Sequence, residues 1–87
     1  MVSQKVKIIN PTGLHLRPAG LFCTKALCFE CKVTFLYKNA EANAKSVLSV
    51  LGACVKEGDE IEIICDGADE VKALEAMVEL VESGLDE

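Results

Sequence analysis

The apolar period of this 87-residue chain switches back and forth between two residues and roughly 3.6, and the order of those switches decides which layers it can form. Glu60-Ile61-Glu62-Ile63-Ile64-Cys65 is the clearest strand. Val2, Val6 and Ile8 alternate with Lys5 and Lys7, and Val33, Phe35 and Tyr37 alternate with Lys32 and Thr34. Lys38-Asn39 is a tight turn into a short strand at Ala40–Asn43. Helical spacing takes over from Leu16 to about Phe29, with an inner stripe of Leu16, Ala19, Cys23, Ala26 and Leu27. It returns from Glu70 to Ser83, with Val71, Leu74, Val78 and Val81 inward and Gly84 as the stop signal. A short helix from the Ser46 N-cap to about Ala53 completes the set. One-sided helices and alternating strands call for two layers. The expected fold is therefore α+β, an open-faced sandwich in which a four-stranded antiparallel sheet carries three helices on one face, in the order βαββαβα. A single domain over residues 1–87 is expected.

The short helix is apolar on too many sides for so small a core. Val47, Leu48, Val50, Leu51, Ala53 and Cys54 surround its axis. Val50 is expected on the buried side, with Val47, Leu48 and Leu51 turned outward as a protein contact.

Composition excludes several function classes. A net charge of −5 leaves no basic surface for sequence-independent nucleic-acid binding. No apolar stretch approaches the ~20 residues of a membrane span, and Val2-Ser3-Gln4-Lys5 does not read as a signal peptide. Five cysteines, an odd number set mostly among apolar neighbours, fit a reducing cytoplasm. Cys28-Phe29-Glu30-Cys31 has C-x-x-C spacing, but neither a second such pair nor a second histidine completes a zinc site, so no metal and no cofactor are expected.

The chemistry is concentrated in Gly13-Leu14-His15-Leu16-Arg17-Pro18-Ala19. His15, the one histidine, stands just before a helix start, where unpaired N–H groups and the helix dipole favour anions. Pro18 suits a first turn, which has no use for its missing N–H. Arg17 adds a planar fork of donors suited to phosphate oxygens. A histidine that is merely a helix cap or a surface residue is the plain alternative.

Gly-Leu-His-x-Arg-Pro-Ala near the start of a chain of this length resembles the histidine-containing phosphocarrier (HPr) family of the sugar phosphotransferase system. A second block, Ala44-Lys45-Ser46-Val47-Leu48-Ser49-Val50-Leu51, resembles the regulatory-serine segment of that family, and the likeness spans nearly the whole chain. Leu16, Gly20 and Val47 depart from the commoner family residues, which bears on docking more than on chemistry.

The resemblance implies a non-enzymatic relay: His15 accepts a phosphoryl group, on Nδ1 in the family, from phosphorylated enzyme I and passes it to sugar-specific enzyme II A-type domains. Arg17 would stabilise the phosphate, and Leu16, Gly20, Thr24, Val47, Leu48 and Leu51 would dock partners. It further implies Ser46 as a site for a kinase/phosphorylase, a link to a transcriptional regulator, a cytoplasmic location and a monomer. A small metal chaperone and a small phosphatase are the rival readings.

Overall fold

Strand β4 (Glu60–Asp66) runs through the middle of a four-stranded sheet, which is why its alternation is the cleanest in the sequence. The computed structural model describes residues 1–87. Around β4 are β1 (Val2–Lys7), α1 (Leu16–Leu27), β2 (Lys32–Tyr37), β3 (Ala40–Asn43), α2 (Val47–Gly52) and α3 (Glu70–Glu82). The strands lie in the order β1-β4-β2-β3, and every neighbouring pair is antiparallel. The element order and layering are those expected from the periodicity. Lys38 and Asn39 both have positive φ, at 51° and 65°, so their two-residue turn has the backbone twist that closes a β-hairpin.

The core lies between the sheet and the helices. Val6, Ile8, Val33, Phe35, Ile61, Ile63 and Cys65 meet Ala19, Phe22, Ala26, Val50, Ala73, Met77, Val81 and Leu85, all buried. Phe22 on α1 meets Phe35 on β2 edge-on, with ring centroids 5.6 Å apart, an arrangement favoured by the ring quadrupoles. Thr34, on the opposite sheet face, is also buried, because β2 has neighbours on both sides that cover so short a side chain.

The two longer helices are rotated relative to the expected stripes. On α1, Leu16 and Leu27 are exposed, and Pro18 and Phe22 take the inner positions beside Ala19, Cys23 and Ala26. On α3, Val71 is exposed and Leu74 half-buried, while the row Ala73, Met77, Val81 faces the sheet with Val78 at its edge. Packing against β-carbons favours small or flexible side chains at the closest approach, and a count of large aliphatics misses them. On α2, Val50 is fully buried as expected, but Leu51 is half-buried against the core rather than turned outward. At about 100° per residue, Leu51 lies a quarter turn from Val50 and Leu48 nearly opposite it.

Three cysteines, Cys23, Cys31 and Cys65, are buried core residues, whereas Cys28 and Cys54 are exposed. Burial pushes the Cys65 thiol up to about 12 and, with Asp69 beside it, also raises that of Cys31. The C-x-x-C pair therefore joins an exposed thiol to a buried one held protonated. No group of three or more His, Cys, Asp or Glu side chains is arranged to hold a metal ion.

The turn after α1 is tied to the start of α3 by Asp69, whose carboxylate accepts from the N–H groups of Glu30 and Cys31, both at 2.9 Å. Those bonds, Glu30 first, hold its carboxyl below the ordinary aspartate range. A carboxyl depressed in the folded state contributes stability that is present above its unfolded value and lost as pH falls through its folded value. Asp69→Asn is thus expected to lower the melting temperature at neutral pH and to shrink the fall in melting temperature on acidification below about pH 4, measured by circular dichroism.

Candidate functional site

His15 is the N-cap of α1, with extended backbone (φ −81°, ψ −171°) and no hydrogen bond from its side chain to the helix. Its carbonyl accepts the first intrahelical bond, from the Ala19 N–H at 2.8 Å. The N–H groups of Leu16 and Arg17 precede that bond, and Pro18 has none to offer, so the helix end presents donors with no partner in the helix. The imidazole is exposed at this positive end. The His15 ring makes no cap bond and is exposed, so of the two plain alternatives the cap falls and the surface residue stands.

The loop that delivers His15 is fixed from two sides. Leu14 is buried and donates its N–H to Val55 O at 3.0 Å. Gly13 has φ +64°, and a β-carbon there would stand 2.5 Å from Val55 O and 2.7 Å from Lys56 Cα. Glycine is thus demanded by both conformation and space. Asn10, buried at 2% exposure, donates through Nδ2 to Gly13 O at 2.8 Å and to the Glu87 carboxylate at 2.9 Å. Thr12 donates to the same carboxylate through Oγ1 at 2.8 Å and through its N–H at 3.3 Å. These donors, Asn10 first, hold the Glu87 carboxyl below the ordinary glutamate range.

Arg17 is exposed on the first turn of α1, and its Nη2 lies 3.1 Å from Asp86 Oδ2. The structure therefore brings His15 and Arg17 to one helix start, as the sequence indicated, and adds Asn10, Thr12, Asp86 and Glu87 around them. Asn10 and Thr12 read only as turn formers. Asp86 and Glu87 carry no local signal, since a short acidic stretch beyond a helix stop looks like any solvated turn.

Leu16, Gly20 and Thr24 follow one another along the row of positions spaced by four on α1, with Leu16 and Thr24 exposed and Gly20 half-buried under open space. Thr24 also lines a cleft of about 570 Å³ between α1 and α3 together with Lys25, Cys28, Leu80 and Asp86. On α2, which contacts α1, Leu48 and Val47 are exposed and Leu51 is the half-buried exception. Ser46 caps α2 by accepting from the Ser49 N–H at 3.2 Å, and Ser49 Oγ in turn accepts from the Asn43 N–H at 2.9 Å.

A free imidazole, a guanidinium and helix N–H groups at one exposed helix end can hold an oxyanion and offer it a nucleophile, the parts of a phosphoryl-carrying protein. The family model described as "PTS HPr component phosphorylation site" matches residues 2–83. Phosphocarrier protein HPr of Treponema pallidum is 34% identical over 87 residues, covering 100% of this chain and 99% of that one. The HPr-like protein Crh of Bacillus subtilis is 38% identical over 94% of this chain and 96% of its own. Among solved structures, a crystal structure of HPr from Thermoanaerobacter tengcongensis superposes with a TM-score of 0.97 at 36% identity, covering 100% of this chain and 98% of that one. The chain belongs to the HPr family, the phosphocarriers of the sugar phosphotransferase system.

Proposed function

We propose that residues 1–87 form one phosphocarrier domain in which His15 accepts a phosphoryl group from phosphorylated enzyme I and hands it to sugar-specific enzyme II A-type domains. The observation that carries the reading is the exposed, uncapped imidazole of His15 at the helix end that also bears Arg17. The lone pair of the neutral ring, on Nδ1, attacks phosphorus as the phosphorus–nitrogen bond of the donor histidine breaks. The donor ring takes up a proton and the His15 ring gives one up from its other nitrogen. Charge spread over the three phosphoryl oxygens meets Arg17 and the N–H groups of Leu16 and Arg17 at the helix start. Each protein molecule carries one group per cycle and releases no product of its own, so it acts as a stoichiometric relay rather than an enzyme.

Docking falls to the outward row of α1, Leu16, Gly20 and Thr24, and to Val47 and Leu48 of α2, with Leu51 supporting that patch from its half-buried place. The protein acts as a monomer in the cytoplasm. Nucleic acid and membrane have no part in it, and no helix is long and apolar enough to cross a bilayer. Incubation with enzyme I and phosphoenolpyruvate tests the carrier reading: one equivalent of acid-labile label on His15 is expected, and catalytic release of phosphate from acyl phosphates would point instead to a phosphatase.

Ser46 serves as a regulatory site for an ATP-dependent kinase/phosphorylase, with a transcriptional regulator as a further partner of the modified form. Its hydroxyl stands at the start of α2 beside exposed Val47 and Leu48, so a phosphate there would place about −1.5 to −2 charges against the docking patch. Two outcomes separate this role from capping. Ser46→Ala should lower stability by about 1 kcal/mol through loss of the Ser49 N–H bond, read from urea denaturation. Mass spectrometry of the native protein after growth on a preferred sugar should find Ser46 phosphate, and its absence under all conditions leaves the cap alone.

A further inference from the structure

The Cys28-Phe29-Glu30-Cys31 turn has no part in the site built on His15, yet every backbone N–H in it is held. Those of Cys28 and Phe29 donate to Lys25 O and Ala26 O, and those of Glu30 and Cys31 to the Asp69 carboxylate. The Phe29 carbonyl, inside the C-x-x-C spacing, accepts from Lys45 Nζ at 2.6 Å. Lys45 is half-buried and has no carboxylate within ion-pair distance, so this carbonyl is its anchor. The next residue, Ser46, starts α2 by accepting from the Ser49 N–H on its hydroxyl and from the Val50 N–H on its carbonyl. One lysine side chain therefore ties the cysteine turn to the start of α2.

The two thiols differ in access. Cys28 is exposed, whereas Cys31 is buried at 3% exposure and burial pushes its thiol up. Cys28 thus meets an oxidant first and Cys31 follows, at the high effective concentration of a neighbour three residues away on a turn. A β-carbon at Gly67 would stand 2.7 Å from both Cα and Cβ of Cys31, so Cys31 has no room to move toward the end of β4. The sulfurs approach one another by turning the Phe29–Glu30 segment between them. In a reducing compartment a bond of this kind is transient and suits sensing rather than structure.

We infer that Cys28 and Cys31 are a reversible dithiol site for small-molecule disulfides of the glutathione class, and that closing their bond turns Phe29 O away from Lys45 and loosens the start of α2. The Cys28 thiolate attacks one sulfur of the small disulfide and expels the other as a thiolate. The Cys31 sulfur, releasing its proton to water, then attacks Cys28 Sγ and expels the second thiolate. The protein loses two hydrogens, and the small disulfide is reduced to two thiols. The inference stands apart from the carrier reading, which needs neither cysteine.

The test uses the full chain equilibrated with mixtures of reduced and oxidised glutathione. A Cys28–Cys31 bond is expected, read by mass spectrometry as the loss of two hydrogens and located by peptide mapping. In the oxidised protein the Ser49 and Val50 amides should exchange hydrogen about two- to tenfold faster, the weight of one lost hydrogen bond of ordinary strength. Lys45→Met should show the faster exchange when reduced, with no further rise on oxidation. Cys28→Ser should abolish both the bond and the change in exchange, while Cys54→Ser, which removes the other exposed thiol, should alter neither. A lasting glutathione adduct on Cys28, a bond from Cys31 to Cys65, or no bond in any mixture overturns the inference. So does a Cys28–Cys31 bond that leaves exchange at Ser49 and Val50 unchanged.

Discussion

His15→Ala is expected to abolish all phosphoenolpyruvate-dependent labelling in the presence of enzyme I, while leaving the melting temperature within experimental error of wild type. Both halves follow from the geometry. The ring is exposed and makes no cap bond, so its removal leaves no cavity and no unsatisfied partner. Its backbone carbonyl still accepts the Ala19 N–H, so the helix start persists. No other histidine is present to take over the nucleophile's place. Acid-labile label retained on the variant would remove His15 from its assigned role. A large fall in stability would show that the imidazole is a structural element after all.

Gly13→Ala is expected to produce a large loss of stability, about 2–4 kcal/mol, from adopting a left-handed conformation and from forcing two backbone segments apart. That corresponds to a drop in melting temperature on the order of 10–20 °C for a domain of this size. The added carbon would stand 2.5 Å from Val55 O and 2.7 Å from Lys56 Cα, and neither is a flexible side chain that could swing aside. Relief requires the 10–14 loop to move away from residues 55–56, breaking the bond from the Leu14 N–H to Val55 O. His15 moves with that loop, so the rate of labelling should fall as well, even at temperatures where the variant remains folded.

Gly20→Ala is the natural control. A β-carbon at Gly20 meets nothing within 4 Å, and in a helix interior alanine is favoured by about 0.5–1 kcal/mol, so stability should rise. A melting temperature for Gly13→Ala close to wild type would mean that the loop is not held against residues 55–56 in solution.

Several parts of this molecule were legible from short windows of sequence. Ala40–Asn43 and the Lys38-Asn39 turn stand where a two-residue connection between alternating runs places them. The Ser46 cap and buried Val50 followed from a hydroxyl before an apolar turn. Gly84, with φ +91°, ends α3 as the stop signal requires. His15 at the N-cap of α1 was equally local, because Pro18 and the apolar spacing that follows fix the helix start to within a residue. The helical stripes are less legible. Leu27 and Val71 are exposed and Ala73 and Met77 buried, because which flank of an amphipathic helix meets the sheet depends on how closely the backbones approach.

The amino-acid order alone thus determined the succession of strands and helices, the antiparallel two-layer architecture and the placing of a histidine and an arginine at one helix end. Each of these depends on interactions within a turn or a window of periodicity, where residue type and spacing suffice. Only the tertiary structure decided that Asp86 lies on Arg17, 69 residues away, and that the Glu87 carboxylate locks Asn10 and Thr12 across more than 70. The approach of Val55 and Lys56 that leaves room for no side chain at position 13 was decided there as well. Contacts between segments so distant in the chain arise when layers pack and bring their ends together, and no local preference of an exposed acid or a turn residue encodes its partner.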